Sequence, residues 1–233
     1  MPYLPMTDTM EELRLAIAAK HASETPRDYI GASIMGHDCS RAIWYSGSGM
    51  NGRPWPVKTL LKFEDGHRTE EELMAKWLRL LPFIRLHSQQ AEVTLGFIKG
   101  HIDGVIEGLC ESSAPHVWEC KAVGKDGFKK LQKAVLVHGE CEALKYWEPR
   151  YYVQAVLYMA GMGLTRHYLT VCTPGGRDFM AIRTRANPAY VKTILERARR
   201  IAQSADPPER LSLRPDHWQC KMCPYLEVCH ASM

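Results

Sequence analysis

The sequence predicts an α/β fold carried by one large domain over residues 1–233. Three observations support this. Several stretches place apolar residues at helical spacing. Between them lie short runs rich in β-branched and aromatic residues, bounded by turn-forming residues. Finally, 45% hydrophobic residues in a chain of 233 supply a sizeable core.

Composition bounds the setting. No apolar run approaches the roughly 18 residues of a membrane span, and Met1-Pro2-Tyr3-Leu4-Pro5 is not a signal peptide. A cytoplasmic protein without a membrane partner is therefore expected. The net charge of +4 permits a polyanionic partner without demanding one. Eight cysteines in a cytosolic chain point to metal or cluster ligation rather than disulfides.

In chain order, Met6 to Ala22 reads as an amphipathic helix capped by Thr7 or Asp8, with Met10, Leu13, Leu15 and Ile17 as its apolar contacts. Gly31 to Tyr45 reads as a tight turn into a helix carrying Cys39, Arg41, Trp44 and Tyr45. Ser46 to Pro56 is a glycine-rich loop. Leu60 to Leu81 is a long helical stretch whose stripe is Leu61, Met74, Trp77, Leu78 and Leu81. His67 within it is either surface decoration or a metal ligand.

Ala91 to Phe97, His101 to Gly108 and Val117 to Lys121 are expected to form an antiparallel meander. The lysine-rich segment from Gly124 to Tyr146 is a loop and helix, facing either solvent or phosphate. In the helix from Tyr151 to Ala160, Gln154 and Tyr158 are four apart and share a face. Arg166 to Cys172 and Asp178 to Thr184 flank a Pro174-Gly175-Gly176 turn as two strands, and Asn187-Pro188 opens a helix to Gln203.

The chemistry concentrates between Gly100 and Lys121. Asp103 sits in Gly100-His101-Ile102-Asp103-Gly104, and Val117-Trp118-Glu119-Cys120-Lys121 contains the only acidic-x-Lys triplet in the chain. Along a strand Glu119 and Lys121 project from one face. Pairing with the Asp103 segment would bring two carboxylates and an ammonium to one spot. Such a pair can hold a hard divalent cation that binds phosphate oxygens and acidifies a water. The lysine can orient that water or offset charge in the transition state.

The tail, residues 206–233, is a proline-rich linker followed by Cys220-Lys221-Met222-Cys223-Pro224-Tyr225-Leu226-Glu227-Val228-Cys229. Its C-x2-C-x5-C spacing gathers three thiolates in a span too short for a core, so a fourth ligand must come from elsewhere. Spacing alone leaves zinc and iron–sulfur both open, with His217 and His230 as alternative zinc ligands. Cys39 alone reads as a small buried hydrophobe, and so do Cys110, Cys120, Cys141 and Cys172.

Taken together, His67 after a glycine, Asp103 in its glycine-flanked strand, Glu119-x-Lys121, Gln154-x3-Tyr158 and the cysteines at both ends resemble the RecB-type exonucleases of the PD-(D/E)XK superfamily. The resemblance is to the iron–sulfur branch, which includes CRISPR-associated exonucleases, the AddB nuclease domain and small phage relatives. It covers about Gly31 to Cys229. It implies a restriction-endonuclease-like α/β core, a mixed central sheet flanked by helices, with a C-terminal iron–sulfur staple. Cys39, Cys220, Cys223 and Cys229 would hold a 4Fe-4S cluster. His67, Asp103, Glu119 and the Cys120 carbonyl would hold Mg²⁺ or Mn²⁺. Asp103, Glu119, Lys121, Gln154 and Tyr158 would carry catalysis.

The implied activity is a DNA nuclease, an exonuclease on single-stranded or free ends, in recombination, repair or CRISPR adaptation. Partner proteins from those pathways and a homo-oligomer are compatible with it. Trp44, Tyr45, Tyr151 and Tyr152 are candidates for stacking on bases, or for the core. The rival readings are a non-catalytic nucleic-acid-binding module and an accessory subunit of a helicase–nuclease complex.

Overall fold

The computed structural model describes residues 8–22 and 27–231. Its main sheet has five strands in the order β2 (Arg85–His87), β5 (Gly104–Glu107), β6 (His116–Ala122), β7 (Arg166–Cys172) and β8 (Phe179–Arg185). Only β6 and β7 run parallel; the other neighbours are antiparallel, so the sheet is mixed. Parallel strands need a crossover. It is made here by α5 (Lys125–His138), α6 (Glu140–Trp147) and α7 (Pro149–Met162). Strand β6 is covered on both faces and buries its first five residues. Trp118, fully buried, keeps its indole N–H satisfied by donating to Thr170 Oγ1 at 3.1 Å.

A second sheet of three strands joins β1 (Ile30–Gly31), β4 (Ile98–His101) and β3 (Glu92–Leu95). The expected meander is therefore divided. The chain leaves β4 in the small sheet, passes through Ile102-Asp103 and enters β5 in the large one. Sequence periodicity cannot show this, because both sides of the break are β-rich.

Helix α7 is the central packing element, with Val153 to Met159 all buried against both sheets. On the opposite face of β6, Trp118 and Cys120 pack against Met74 and Ala75. Those two residues belong to a long helical stretch: α3 (Val57–Arg68), a π-helical turn (Thr69–Met74) and α4 (Ala75–Leu78). Its buried positions are Leu60, Thr69, Glu70, Met74 and Ala75, whereas Leu61, Trp77 and Leu81 of the expected stripe are exposed. The π-helical turn, one residue wider than an α turn, changes which side faces the sheet.

α1 (Thr9–Ala22) is capped by Asp8, whose Oδ1 accepts from the backbone N–H of Met10 and Glu11. The expected contributions of Met6 and Thr7 lie outside the described residues. Met10, Leu13 and Leu15 do not pack as expected but stay exposed. α2 (Ser40–Gly47) follows Cys39, and α8 (Pro188–Ala202) is capped by the Asn187 side chain accepting from Tyr190 N–H. The tail forms two short helices, α9 (Trp218–Met222) and α10 (Leu226–His230). Among the described residues no helix is long and apolar enough to cross a membrane.

Candidate functional site

Asp103 occupies the break between the two sheets. The last ladder pair is Gly104 opposite Trp118, so continuing the register sets Asp103 opposite Glu119. There its Oδ2 accepts from the Cys120 backbone N–H at 2.7 Å, a donor the end of β5 leaves unpaired. Glu119 and Lys121 share a face, as their spacing requires: Lys121 Nζ donates to Glu119 Oε2 at 2.9 Å. The second oxygen, Glu119 Oε1, is buried with no hydrogen-bond partner.

The structure adds a residue that the sequence reading missed. Glu70 is buried on the π-helical turn, beside Asp103 and Lys121, and its Oε1 accepts from Gln90 Nε2 at 2.8 Å. In sequence it opens the run Glu70-Glu71-Glu72, which looks like a solvated acidic face. The available signal was its position three residues after His67, on the same side of the helix. His67 is exposed and lies within electrostatic reach of Asp103.

Gln154 Nε2 donates to Tyr158 Oη at 3.2 Å, and both side chains are buried. Tyr158 reaches the site past Gly100, where a Cβ would lie 2.6 Å from the tyrosine oxygen. Gly100 is thus a close-approach glycine. Tyr151 faces the site directly, with Lys121 Nζ 5.7 Å from its ring centroid. The other proposed stacking residues are committed elsewhere. Tyr45 is buried against Tyr225, Trp44 donates to the Ser204 carbonyl, and Tyr152 stacks on Tyr190.

Electrostatically the site holds an excess of negative charge in a dry place. Burial first, then the Asp103 carboxylate, pushes Glu119 up to about 8. The same two causes push Glu70 up to about 7. Burial also raises Asp103, against the pull of Lys121 and the Cys120 N–H. Burial by itself would lower the Lys121 ammonium, but Glu119 and Asp103 outweigh it and hold it above the ordinary lysine range. Tyr158 is raised to about 12 by burial and by Glu119. A positive charge placed among these carboxylates would favour their ionised forms, and Glu119 Oε1 is the oxygen left without a partner. Among the described residues no group of three or more His, Cys, Asp or Glu side chains is arranged so that it could hold a metal ion. Lys121 is the cation that Glu119 holds.

The second assembly is a cavity lined by Cys39, Cys220, Cys223 and Cys229 together with Arg41 and His230. Burial, followed by the neighbouring thiols, raises Cys220. Cys223 is raised by the same two causes in the same order. Arg41 Nε is buried there with no partner, so the cavity presents a donor without an acceptor. Both walls are pinned by protein contacts. Arg197 donates to the carbonyls of Met35, His37 and Asp38 and to Ser40 Oγ, while Arg210 Nε donates to the Cys229 carbonyl at 2.8 Å. The remaining cysteines divide. Cys120 and Cys172 are buried as expected, but Cys110 is exposed and Cys141 half-buried. Cys120 packs its thiol against the Trp118 cluster and gives its N–H to Asp103.

No family model and no curated protein matches the chain. Solved structures do. The alkaline exonuclease LHK-Exo from Laribacter hongkongensis superposes with a TM-score of 0.52 at 11% identity, over 82% of this chain and 90% of that one. The same protein in complex with dAMP gives 0.50 at 12% identity, again over 82% and 90%. A phage-related exonuclease from Haemophilus somnus gives 0.43 at 12% identity, over 61% and 69%. The chain is thus similar in fold to the Laribacter exonuclease, a mixed α/β architecture.

Proposed function

We propose that this protein is a metal-dependent DNA nuclease of the RecB-type PD-(D/E)XK kind, hydrolysing phosphodiester bonds as an exonuclease on single-stranded or free ends. The observation that carries the reading is the convergence of Asp103, Glu119 and Glu70 on Lys121, with Glu119 Oε1 buried and unpartnered. The fold likeness to an exonuclease solved with dAMP supports it. Asp103, Glu119 and Glu70 would hold Mg²⁺ or Mn²⁺, helped by His67 and the Cys120 carbonyl. The ion supplies Lewis-acid polarisation of the phosphate and an acidified water.

Lys121 remains charged at neutral pH, so it orients the water and offsets charge on the phosphate rather than abstracting a proton. Tyr158, held by Gln154, stays a neutral phenol that can donate to a phosphate oxygen. The cysteine cavity is read as the seat of a 4Fe-4S cluster on Cys39, Cys220, Cys223 and Cys229. Its role is structural, tying the tail to the loop before α2. The unpartnered Arg41 donor supports an anionic occupant.

The test is cleavage of end-labelled single- and double-stranded DNA by anaerobically purified protein with Mn²⁺, comparing wild type with Glu119→Ala and Lys121→Ala. Cleavage by wild type alone, abolished by chelator, is expected. Equal binding by all three without cleavage would leave a binding module instead.

A further inference from the structure

The break that carries Asp103 has a twin on the neighbouring strand. β2 pairs with β5 in the large sheet and β3 with β4 in the small one, both antiparallel. Between the flanking pairs, His87 with Val105 and Glu92 with His101, residues 88–91 stand against residues 102–104, four against three. The extra residue makes a bulge, which bends a strand and re-aims its side chains. The bulge is pinned to the residue before Asp103. Gln90 N–H donates to the Ile102 carbonyl at 3.0 Å, and Ile102 N–H donates to the Ala91 carbonyl at 3.1 Å.

The bulge is also strained. Among the described residues the non-glycine positions with positive φ are Ser88, at 50°, and Gln90, at 56°. Left-handed backbone costs energy at a glutamine or a serine, and such outliers persist where the surrounding structure holds them. What the conformation at Gln90 delivers is a side-chain donor. Gln90 is exposed, yet its Nε2 donates at 2.8 Å to Oε1 of Glu70, which is buried on the π-helical turn. One residue thus ties the turn carrying Glu70, through its side chain, to the break carrying Asp103, through its backbone.

We propose that Gln90 is a positioning residue for the Glu70 carboxylate. Its amide takes up Oε1, restrains the rotation of the group and leaves Oε2 to the cation. Hydrogen bonds from behind a ligand carboxylate orient it in this way. Gln90 itself touches neither the ion nor the substrate. A glutamine that merely decorated the bulge could lose its side chain without consequence for the site. The assignment rests on the metal-dependent nuclease reading and extends it to a residue outside the carboxylate cluster.

The test uses full-length Gln90→Gly and Ser88→Gly. Glycine adopts positive φ without strain, so both variants keep the bulge and only the first loses the donor to Glu70. Mn²⁺ affinity is measured by calorimetry, DNA cleavage is followed against Mn²⁺ concentration, and melting temperatures are taken in chelator. Gln90→Gly should weaken Mn²⁺ binding by about tenfold or more, the range for lost partners of metal ligands. Its cleavage rate at saturating Mn²⁺ should be retained, and its melting temperature should not fall. Ser88→Gly should bind Mn²⁺ as wild type does. Wild-type Mn²⁺ affinity in Gln90→Gly would overturn the assignment. So would an equal loss in Ser88→Gly, which would place the effect in the backbone of the bulge rather than in the side chain. Cleavage by wild type with either of those results would leave the nuclease reading standing. Binding that depends on Gln90 in a wild type that cleaves no DNA would instead remove the nuclease reading and leave the positioning role. No Mn²⁺ binding by wild type would overturn both.

Discussion

Glu119 gives one carboxylate oxygen to Lys121 at 2.9 Å and keeps the other buried and unpartnered. Both atoms sit opposite Asp103 at the point where the chain changes sheets. A carboxylate so placed costs stability, and the proposed cation would recover that cost.

Glu119→Gln should therefore separate stability from activity. It removes a like charge from beside Asp103 and Glu70, so the melting temperature in chelator should equal or exceed that of wild type. Cleavage in Mn²⁺ should fall by about a hundredfold or more. Thermal unfolding and initial rates on the same preparation check both halves.

Lys121→Met should do the opposite to stability. It leaves the carboxylates without their cation and should destabilise the metal-free fold by about 2–3 kcal/mol. That is less than the ~3–5 kcal/mol of a fully buried pair, because Glu119 can take up a proton. Urea unfolding at pH 7 measures this, and Mn²⁺ should recover part of the loss.

The pH dependence follows from the raised carboxylates. Glu119 at about 8 and Glu70 at about 7 lie above the ordinary 4.5, so the folded state keeps protons that the unfolded chain releases. Their stabilisation is complete below about pH 4.5 and is lost as pH rises through 7 and 8. His167, lowered to about 3 by burial, acts in the other direction below pH 6.5. The difference between Glu119→Gln and wild type isolates the carboxylate: the variant's advantage in melting temperature should grow from pH 5 to pH 8.5. An advantage that shrinks over that range would contradict the assignment.

Gly100→Ala tests the approach of Tyr158. The added methyl would meet the tyrosine oxygen at 2.6 Å and the Ala32 Cβ at 3.1 Å. A loss of about 1–3 kcal/mol is expected. Tyr158→Phe in the same chain should restore part of it, and a double-mutant cycle of urea unfolding reads the coupling.

Arg197→Ala should loosen the cysteine cavity from its wall. It removes the donor to three loop carbonyls and Ser40, and should cost about 2–4 kcal/mol. Iron and labile sulfide per chain, measured on anaerobic protein, should fall with it.

The sequence made some of this legible and hid the rest for physical reasons. Glu119, Lys121, Gln154 and Tyr158 could be found because strand period two and helix period four fix which side chains share a face. The mixed order of the sheet could not, since β4 and β5 are continuous β-rich sequence and only tertiary packing divides them. Glu70 was hidden in an acidic run, and its burial depends on a π-helical turn that periodicity does not register. Trp77 was expected in a core stripe, and that same turn leaves it exposed beside Phe179. The four cysteines could be grouped only through resemblance, since nothing local links Cys39 to a tail some 180 residues away.

The central claim is that the Asp103, Glu119 and Glu70 carboxylates bind a divalent cation. Calorimetric titration of Mn²⁺ at pH 7 tests it most directly, in two buffers of different ionisation enthalpy, with wild type and Glu119→Gln. Saturable binding by wild type with release of protons, weakened at least tenfold in the variant, is the predicted result. Binding without proton release, or equal binding by Glu119→Gln, would contradict it.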